Sequence, residues 1–169
     1  MSAETASAEA GTAVADDRGG KFLTFFLAAE EYGIEILRVR EIIGLMAITP
    51  VPRTPECIRG VINLRGKVIP ILDLRRRFDL PSIEDTEESC IIVVQSGDDM
   101  VGVFVDKVSE VTDIEDADID DPPSFGEDVN TDYILGIGKG EGHVRLLLDI
   151  DCVLTIEDLS AIFPALREG

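Results

Sequence analysis

The stretch Pro55-Glu56-Cys57-Ile58-Arg59-Gly60-Val61-Ile62-Asn63-Leu64-Arg65-Gly66-Lys67-Val68-Ile69-Pro70-Ile71-Leu72-Asp73-Leu74 decides the class of fold. Its two apolar runs, 61–64 and 67–73, are short, rich in Val and Ile, and bounded by turn residues, which is the pattern of strands. Asn63, Arg65 and Gly66 between them read as a tight turn that holds a cation in the open. The stretch is therefore a hairpin around an arginine. Thr54-Pro55-Glu56 before it has the features of a helix start, predicting a short helix at 55–59 ended by Gly60.

Outward from this hairpin the chain repeats the same grammar. Phe22 to Leu27 and Tyr32 to Ile36 read as a hairpin with a bulge at Gly33. Ile36, Val39 and Ile43 are spaced three and four apart, which suits a helical turn ending near Gly44. Ile48 to Val51 is extended between prolines. Pro81 to Ser89 is acidic and reads as a linker. A second half follows: strands at Cys90 to Val94 and Met100 to Val111, an acidic connection over 112–132, then strands at Tyr133 to Ile137 and Val144 to Ile150. Asp151 to Leu166 reads as a helical C-terminal segment. Residues 1–20 hold almost no large apolar groups, so burial cannot offset the entropy of ordering them, and they read as a disordered tail. Both halves run hairpin, irregular section, hairpin. The prediction is a mainly β chain of about ten short strands, arranged as two similar small barrels.

Composition bounds function. The 169 residues carry 34 acidic against 15 basic side chains, a net charge of −19. That field repels nucleic acid and anionic lipid, which excludes both as partners. Only four of the basic residues are lysines. An acidic, lysine-poor surface fits a saline cytoplasm. Cys57, Cys90 and Cys152 form no CxxC pair and imply a reducing compartment, with Cys90 and Cys152 as small core residues. No apolar stretch is long enough to cross a membrane as a helix, and the N-terminus has no secretory pattern.

The turn Asn63-Leu64-Arg65-Gly66 and the strand Pro70-Ile71-Leu72-Asp73-Leu74 together resemble the signature of the CheW family, the chemotaxis coupling proteins. The resemblance extends upstream to Glu31-Tyr32-Gly33-Ile34-Glu35-Ile36 and Val39-Arg40-Glu41-Ile42. Downstream it takes in Gly102-Val103-Phe104-Val105-Asp106-Lys107-Val108, so that residues 21–165 are covered. It implies two packed five-stranded SH3-like barrels, divided at about 21–80 and 88–155, with a C-terminal helix at 156–166. It implies a non-enzymatic cytoplasmic adaptor, recruited to membrane-associated arrays, that joins chemoreceptor tips to the CheA histidine kinase. Matched by motif, the receptor-facing residues are Ile36, Val39, Glu41, Gly60, Arg65, Val101 and Gly102. No residues are assigned to the kinase contact. The alternative is a small-molecule sensor holding its ligand between the barrels.

Other candidate chemistry is weak. His143, the one histidine, reads as a solvated turn residue with no nucleophile or ligand set beside it. Gly136 to Gly142 lacks the Ser or Thr after Lys139 that a phosphate loop needs, and reads as a hairpin loop. Asp116 to Asp121 opens like a calcium loop, but Pro122-Pro123 stands where the glycine turn belongs. Asp73 and Asp106 read as capping or turn residues. No metal or cofactor is implied. Arg75-Arg76-Arg77 reads equally as a partner contact or a solvated face. Arg65 reads as a fork held out for a partner's carboxylate, the alternative being a turn arginine paired within its own chain. Ile34, Ile36, Leu37, Val39, Ile42 and Ile43 are too crowded for all to enter a small core, so an exposed apolar strip is expected, rimmed by Glu41 and Arg65.

Overall fold

The computed structural model describes residues 18–81, 83–96, 98–123, 132–140 and 142–154. The strands are β1 (Gly20–Leu27), β2 (Glu30–Glu35), β3 (Val39–Gly44), β4 (Ile58–Leu64), β5 (Lys67–Asp73), β6 (Cys90–Ser96), β7 (Asp99–Val105), β8 (Lys107–Ile114), β9 (Ile119–Asp120), β10 (Ile134–Gly140) and β11 (His143–Leu148). Two short helices, α1 (Leu74–Arg77) and α2 (Ile150–Leu154), follow β5 and β11. The fold is mainly β, as the sequence predicts.

The strands form two sheets, ordered β8-β1-β2-β11-β10-β9 and β3-β6-β7-β5-β4. Neither can be flat. β8 and β9 lie at opposite edges of the first sheet, yet only residues 115–118 join them. Six flat strands would place the edges about 24 Å apart, and five steps of chain span at most about 18 Å. The second sheet meets the same constraint. Thr49, five residues beyond the end of β3, bridges to Val61 on the far edge strand β4 through paired backbone hydrogen bonds of 2.9 Å. Both sheets therefore curl toward barrels, in keeping with SH3-like barrels, although the described pairings form open strand orders.

The sheets do not divide the chain into the sequential halves 21–80 and 88–155. Hairpin β1–β2 of the first half sits in a sheet with β8–β11, while hairpin β6–β7 of the second half sits with β3–β5. The halves have exchanged hairpins. Their registers match position by position. Ile58 pairs with Leu72 ahead of a bulge at Gly60, as Ile134 pairs with Leu148 ahead of a bulge at Gly136. The parallel contacts repeat too: Ile71 opposite Gly102, Leu147 opposite Gly33. At both of these glycines a Cβ would fall within 3.0 Å of the facing Ile or Leu side chain, so the parallel strands approach only without one. Each second hairpin ends in a capping aspartate. Asp73 Oδ1 accepts from Arg75 N–H (2.9 Å), and Asp149 Oδ1 from Asp151 N–H (3.1 Å).

This double role of the strands explains their continuous apolar runs. Ile91 and Val93 of β6 face the interior of the five-stranded sheet with Ile62, Ile69 and Ile71. Ile92 and Val94, on the opposite face, join Leu23, Phe25, Ile34 and Leu148 in the main core between the sheets. Phe22, Ile114, Ile119 and Leu147 fill the six-stranded sheet.

Several local expectations are corrected. Residues 39–44 form a strand, because pairing with β6 overrides the helical spacing; only Ile36–Arg38 make a helical turn, of 3-10 type. Thr54 and Pro55 are irregular and Glu56 and Cys57 form a turn instead of a helix, with Ile58 N–H donating to Pro55 O (3.0 Å). Met100 to Val111 is two strands broken at Asp106. Cys90 and Cys152 are half-buried, not fully internal, and no disulfide joins any of the three cysteines. The last residues of the expected tail are engaged: Arg18 reaches Asp121 (2.6 Å), Asp116 and the Ile119 carbonyl (3.2 Å). The tail up to residue 17 and the C-terminal segment 156–166 lie outside the described residues.

Among the described residues no helix is long and apolar enough to cross a membrane. With a net charge of −19, self-repulsion opposes the compact state at low ionic strength. Raising potassium chloride from about 0.1 M to about 2 M shortens the screening length several-fold and should raise the melting temperature steadily. A flat melting temperature over that range contradicts the reading of a protein suited to saline surroundings.

Candidate functional site

The site is built where the two edges of the five-stranded sheet meet. Leu64 pairs with Lys67 across a two-residue loop, and both loop residues have positive φ, 53° at Arg65 and 86° at Gly66. That is the primed turn that matches the twist of a hairpin. Asn63 Oδ1 accepts from Gly66 N–H (2.8 Å), which pins the turn. The turn delivers Arg65 to the opposite edge, where its guanidinium forks onto both oxygens of Glu41 in β3. Arg65 remains 70% exposed even so. The hydrogen-bonded guanidinium holds the Glu41 carboxyl below its usual range. One arginine fork and one β-bridge at Thr49 thus hold the seam.

Ile36 and Val39 lie at the rim between the sheets, half-buried against the main core. Of the six crowded apolar residues, Ile34 is fully buried and Ile43 packs half-buried into the five-stranded sheet. Leu37 stands 91% exposed and Ile42 44% exposed. The expected strip is present, and Leu45 and Met46 extend it.

Three expected surface residues are internal. Gly60 is buried with φ 144°, and a Cβ there would fall within 3.0 Å of the Thr49 carbonyl. Its close approach is to its own chain. Val101 is fully buried in the core between the sheets, and Gly102 is buried where β7 meets β5. These three shape the seam from beneath, whereas Ile36, Val39, Glu41 and Arg65 reach its surface.

Charged clasps hold the sheets together, and no sequence pattern signals them because their partners are far apart in the chain. Arg38, at the end of the 3-10 turn, forks onto Asp151 of α2 and donates to Gln95 O (2.9 Å). That hydrogen bond keeps the Asp151 carboxyl below its usual range. Arg75 donates to Asp106 through Nε (2.8 Å) and Nη2 (2.6 Å), and Asp106 also accepts from Ala28 N–H (2.8 Å). Burial pushes the Asp106 carboxyl up, but these donors outweigh it and leave it low. The arginine run 75–77 is thus spent internally. Arg76 pairs with Asp73, and Arg77 donates to Val153 O (3.3 Å). Asp73 and Asp106 act as capping and turn acceptors, as the sequence suggests.

The acidic 81–89 stretch is a strap more than a linker. Pro81 O accepts from Arg75, Asp85 pairs with Arg59 (3.2 Å), and Glu88 pairs with Lys107 (3.2 Å). Beneath it a cleft of about 40 Å³ lies between Arg59, Asp73, Arg75 and Asp106. Such a volume holds water but no metabolite. His143 is not merely solvated: its Nε2 lies 3.3 Å from Glu31, which also faces Arg145. No group of three or more metal-binding side chains occurs among the described residues.

Asp106 and Asp151 have carboxyl pKa values lowered by folding. A lowered folded pKa contributes stability that is present above the unfolded value and is lost as pH falls through the folded one. Acid titration should therefore leave the melting temperature level down to about pH 5 and lower it below about pH 4. A melting temperature that rises continuously to about pH 3 contradicts these clasps.

Residues 21–158 match the CheW-like domain. The chemotaxis protein CheW of Klebsiella aerogenes is 38% identical over 144 residues, which is 85% of this chain and 87% of that protein. CheW of Bacillus subtilis is 35% identical over 147 residues, 86% and 94% of the two chains. The protein FrzA of Myxococcus xanthus is 32% identical over 123 residues, 73% and 76% of the two. The crystal structure of the scaffolding protein TtCheW from Thermoanaerobacter tengcongensis superposes with a TM-score of 0.75 at 34% identity, covering 83% of this chain and 95% of that one. Two curled sheets with exchanged hairpins and a clasped seam define a β scaffold of the chemotaxis class. The chain belongs to the CheW family.

Proposed function

We propose that this chain is a non-enzymatic adaptor that couples the cytoplasmic tips of chemoreceptors to the CheA histidine kinase. It works in the cytoplasm, at membrane-associated receptor arrays. The observation that carries this reading is the rim beside the seam. Leu37, Leu45 and Met46 are exposed within ten residues, next to a clasped arginine and acid. An apolar strip with a polar edge suits a helical tip laid along it. Ile36, Val39, Glu41 and Arg65 are the contact residues, while Gly60, Val101 and Gly102 keep the backbone beneath them in place. Signal passes by differential binding: a receptor state that fits the adaptor and kinase better shifts the kinase population with it.

Affinity capture of the full chain from its source cells, followed by mass spectrometry, tests the reading. Receptor and CheA peptides should co-purify. Capture of neither, together with a bound metabolite in native mass spectrometry, would favour a small-molecule sensor.

A further inference from the structure

The exchanged-hairpin duplication supplies an internal control, because each position at one seam has a twin at the other with the same backbone job. Features present at both seams belong to the fold. Features present at one seam need another reason.

Exposed Ile42 has a twin in Val111, since both pair with the twin residues Ile92 and Leu23. Their exposures are alike, 44% and 50%. Val68 and Val144 are twins at the second hairpins, 51% and 49% exposed. These four are what the fold leaves outside. Leu37 is different. Its twin, Asp106, is the corner residue that pairs with Arg75 at the first turn of α1. At Leu37's own corner the link to the helix is made by the next residue, Arg38, with Asp151. Leu37 is left free and 91% exposed. The twin of Leu45 is Ile114, which is buried. The cations are equally one-sided. Arg40 of β3 and Lys67 of β5 are exposed and form no ion pair with another described residue, and their twins are Ser109 and His143.

Charge is segregated along the chain in the same sense. Residues 38–77 hold nine of the 15 Lys and Arg and three of the 34 Asp and Glu. Arg38, Arg59, Arg75, Arg76 and Arg77 are held by internal acceptors and Arg65 by Glu41, which leaves Arg40, Arg53 and Lys67 as exposed cations that form no ion pair with another described residue. In a molecule this acidic, an exposed cationic and apolar seam is complementary to an acidic surface bearing an apolar stripe.

We propose that the seam of the five-stranded sheet docks an acidic amphipathic helix, with Leu37 and Leu45 meeting its apolar stripe and Arg40 and Lys67 meeting its carboxylates. This rests on the adaptor reading and names the chemistry of the receptor tip that reading requires.

The test titrates a soluble two-helix chemoreceptor-tip fragment against the full chain at low and high potassium chloride. Arg40→Glu with Lys67→Glu should weaken binding about tenfold or more at about 0.15 M salt, and the difference should close at about 2 M. Leu37→Ser should weaken binding at both salts. The twin-seam pair Ser109→Glu with His143→Glu should bind like the wild type. Arg40→Ala with Lys67→Ala reads the same contact if charge reversal disturbs the fold. Wild-type binding that neither charge variant changes, or that both seams' variants change equally, overturns this inference and leaves the adaptor reading standing. Self-association of the wild type that Arg40→Glu with Lys67→Glu abolishes also overturns it, because the occupant is then a second copy of the chain. A wild type that binds no tip fragment overturns the adaptor reading and this inference with it.

Discussion

Gly60→Asp should destabilise the protein by about 3 kcal/mol or more. Two costs add. The backbone at Gly60 has φ 144°, which side chains other than glycine's rarely adopt. In addition, any Cβ would press into the Thr49 carbonyl, whose oxygen accepts the Val61 N–H. Relief requires moving the 45–57 segment off β4, which opens the seam and displaces Arg65 from Glu41. Gly66→Ala separates the two costs. Gly66 has φ 86° and nothing within 4 Å of a Cβ, so only strain of about 1 kcal/mol is expected. Denaturant melts of both variants check the contrast. Equal, small losses would mean that the Thr49 contact yields easily and that Gly60 matters through a partner instead.

Arg75→Ala should cost about 3–5 kcal/mol, the larger effect among the charged clasps. The Arg75 and Asp106 side chains are only 10% and 16% exposed. Removing the arginine leaves a buried carboxylate with the Ala28 N–H as its remaining donor among the contacts described. Arg75→Met with Asp106→Asn should recover most of the loss, because the amide oxygen still accepts from Ala28 and no charge is stranded. If the double variant is as unstable as the single one, the packing of Arg75, and not its charge, supports the strap at Pro81. The exposed fork of Arg65 on Glu41 should behave differently, since solvent competes for both groups and its loss should barely move the melt.

Local pattern made the strands legible and left the topology hidden. Alternation and Gly–Pro punctuation located the hairpins at 22–36, 61–73 and 133–150, and the Asn63–Gly66 turn was readable residue by residue. The repeated layout of the halves was visible too. Hairpin exchange was not, because β1 pairing with β8 and β6 pairing with β3 are choices of partner that leave each strand's own composition unchanged. The helical spacing of Ile36, Val39 and Ile43 misled for a related reason: those residues face two different cores, and a bulge between Val39 and Glu41 puts them out of strand phase. At the site, exposure of Arg65 followed from its turn. Gly60, Val101 and Gly102 were placed by motif, and motif does not distinguish a residue that touches a partner from one that holds the touching residue in position.

Receptor-dependent kinase activation, reconstituted from receptor-containing membranes, CheA and this chain, tests the adaptor account most directly. Wild-type chain should raise kinase activity in a receptor-dependent manner. Arg65→Ala, with an unchanged melt, should abolish most of that rise, as expected for loss of a charge-assisted contact on an exposed turn. A wild-type chain that leaves kinase activity at its receptor-free level would contradict the account.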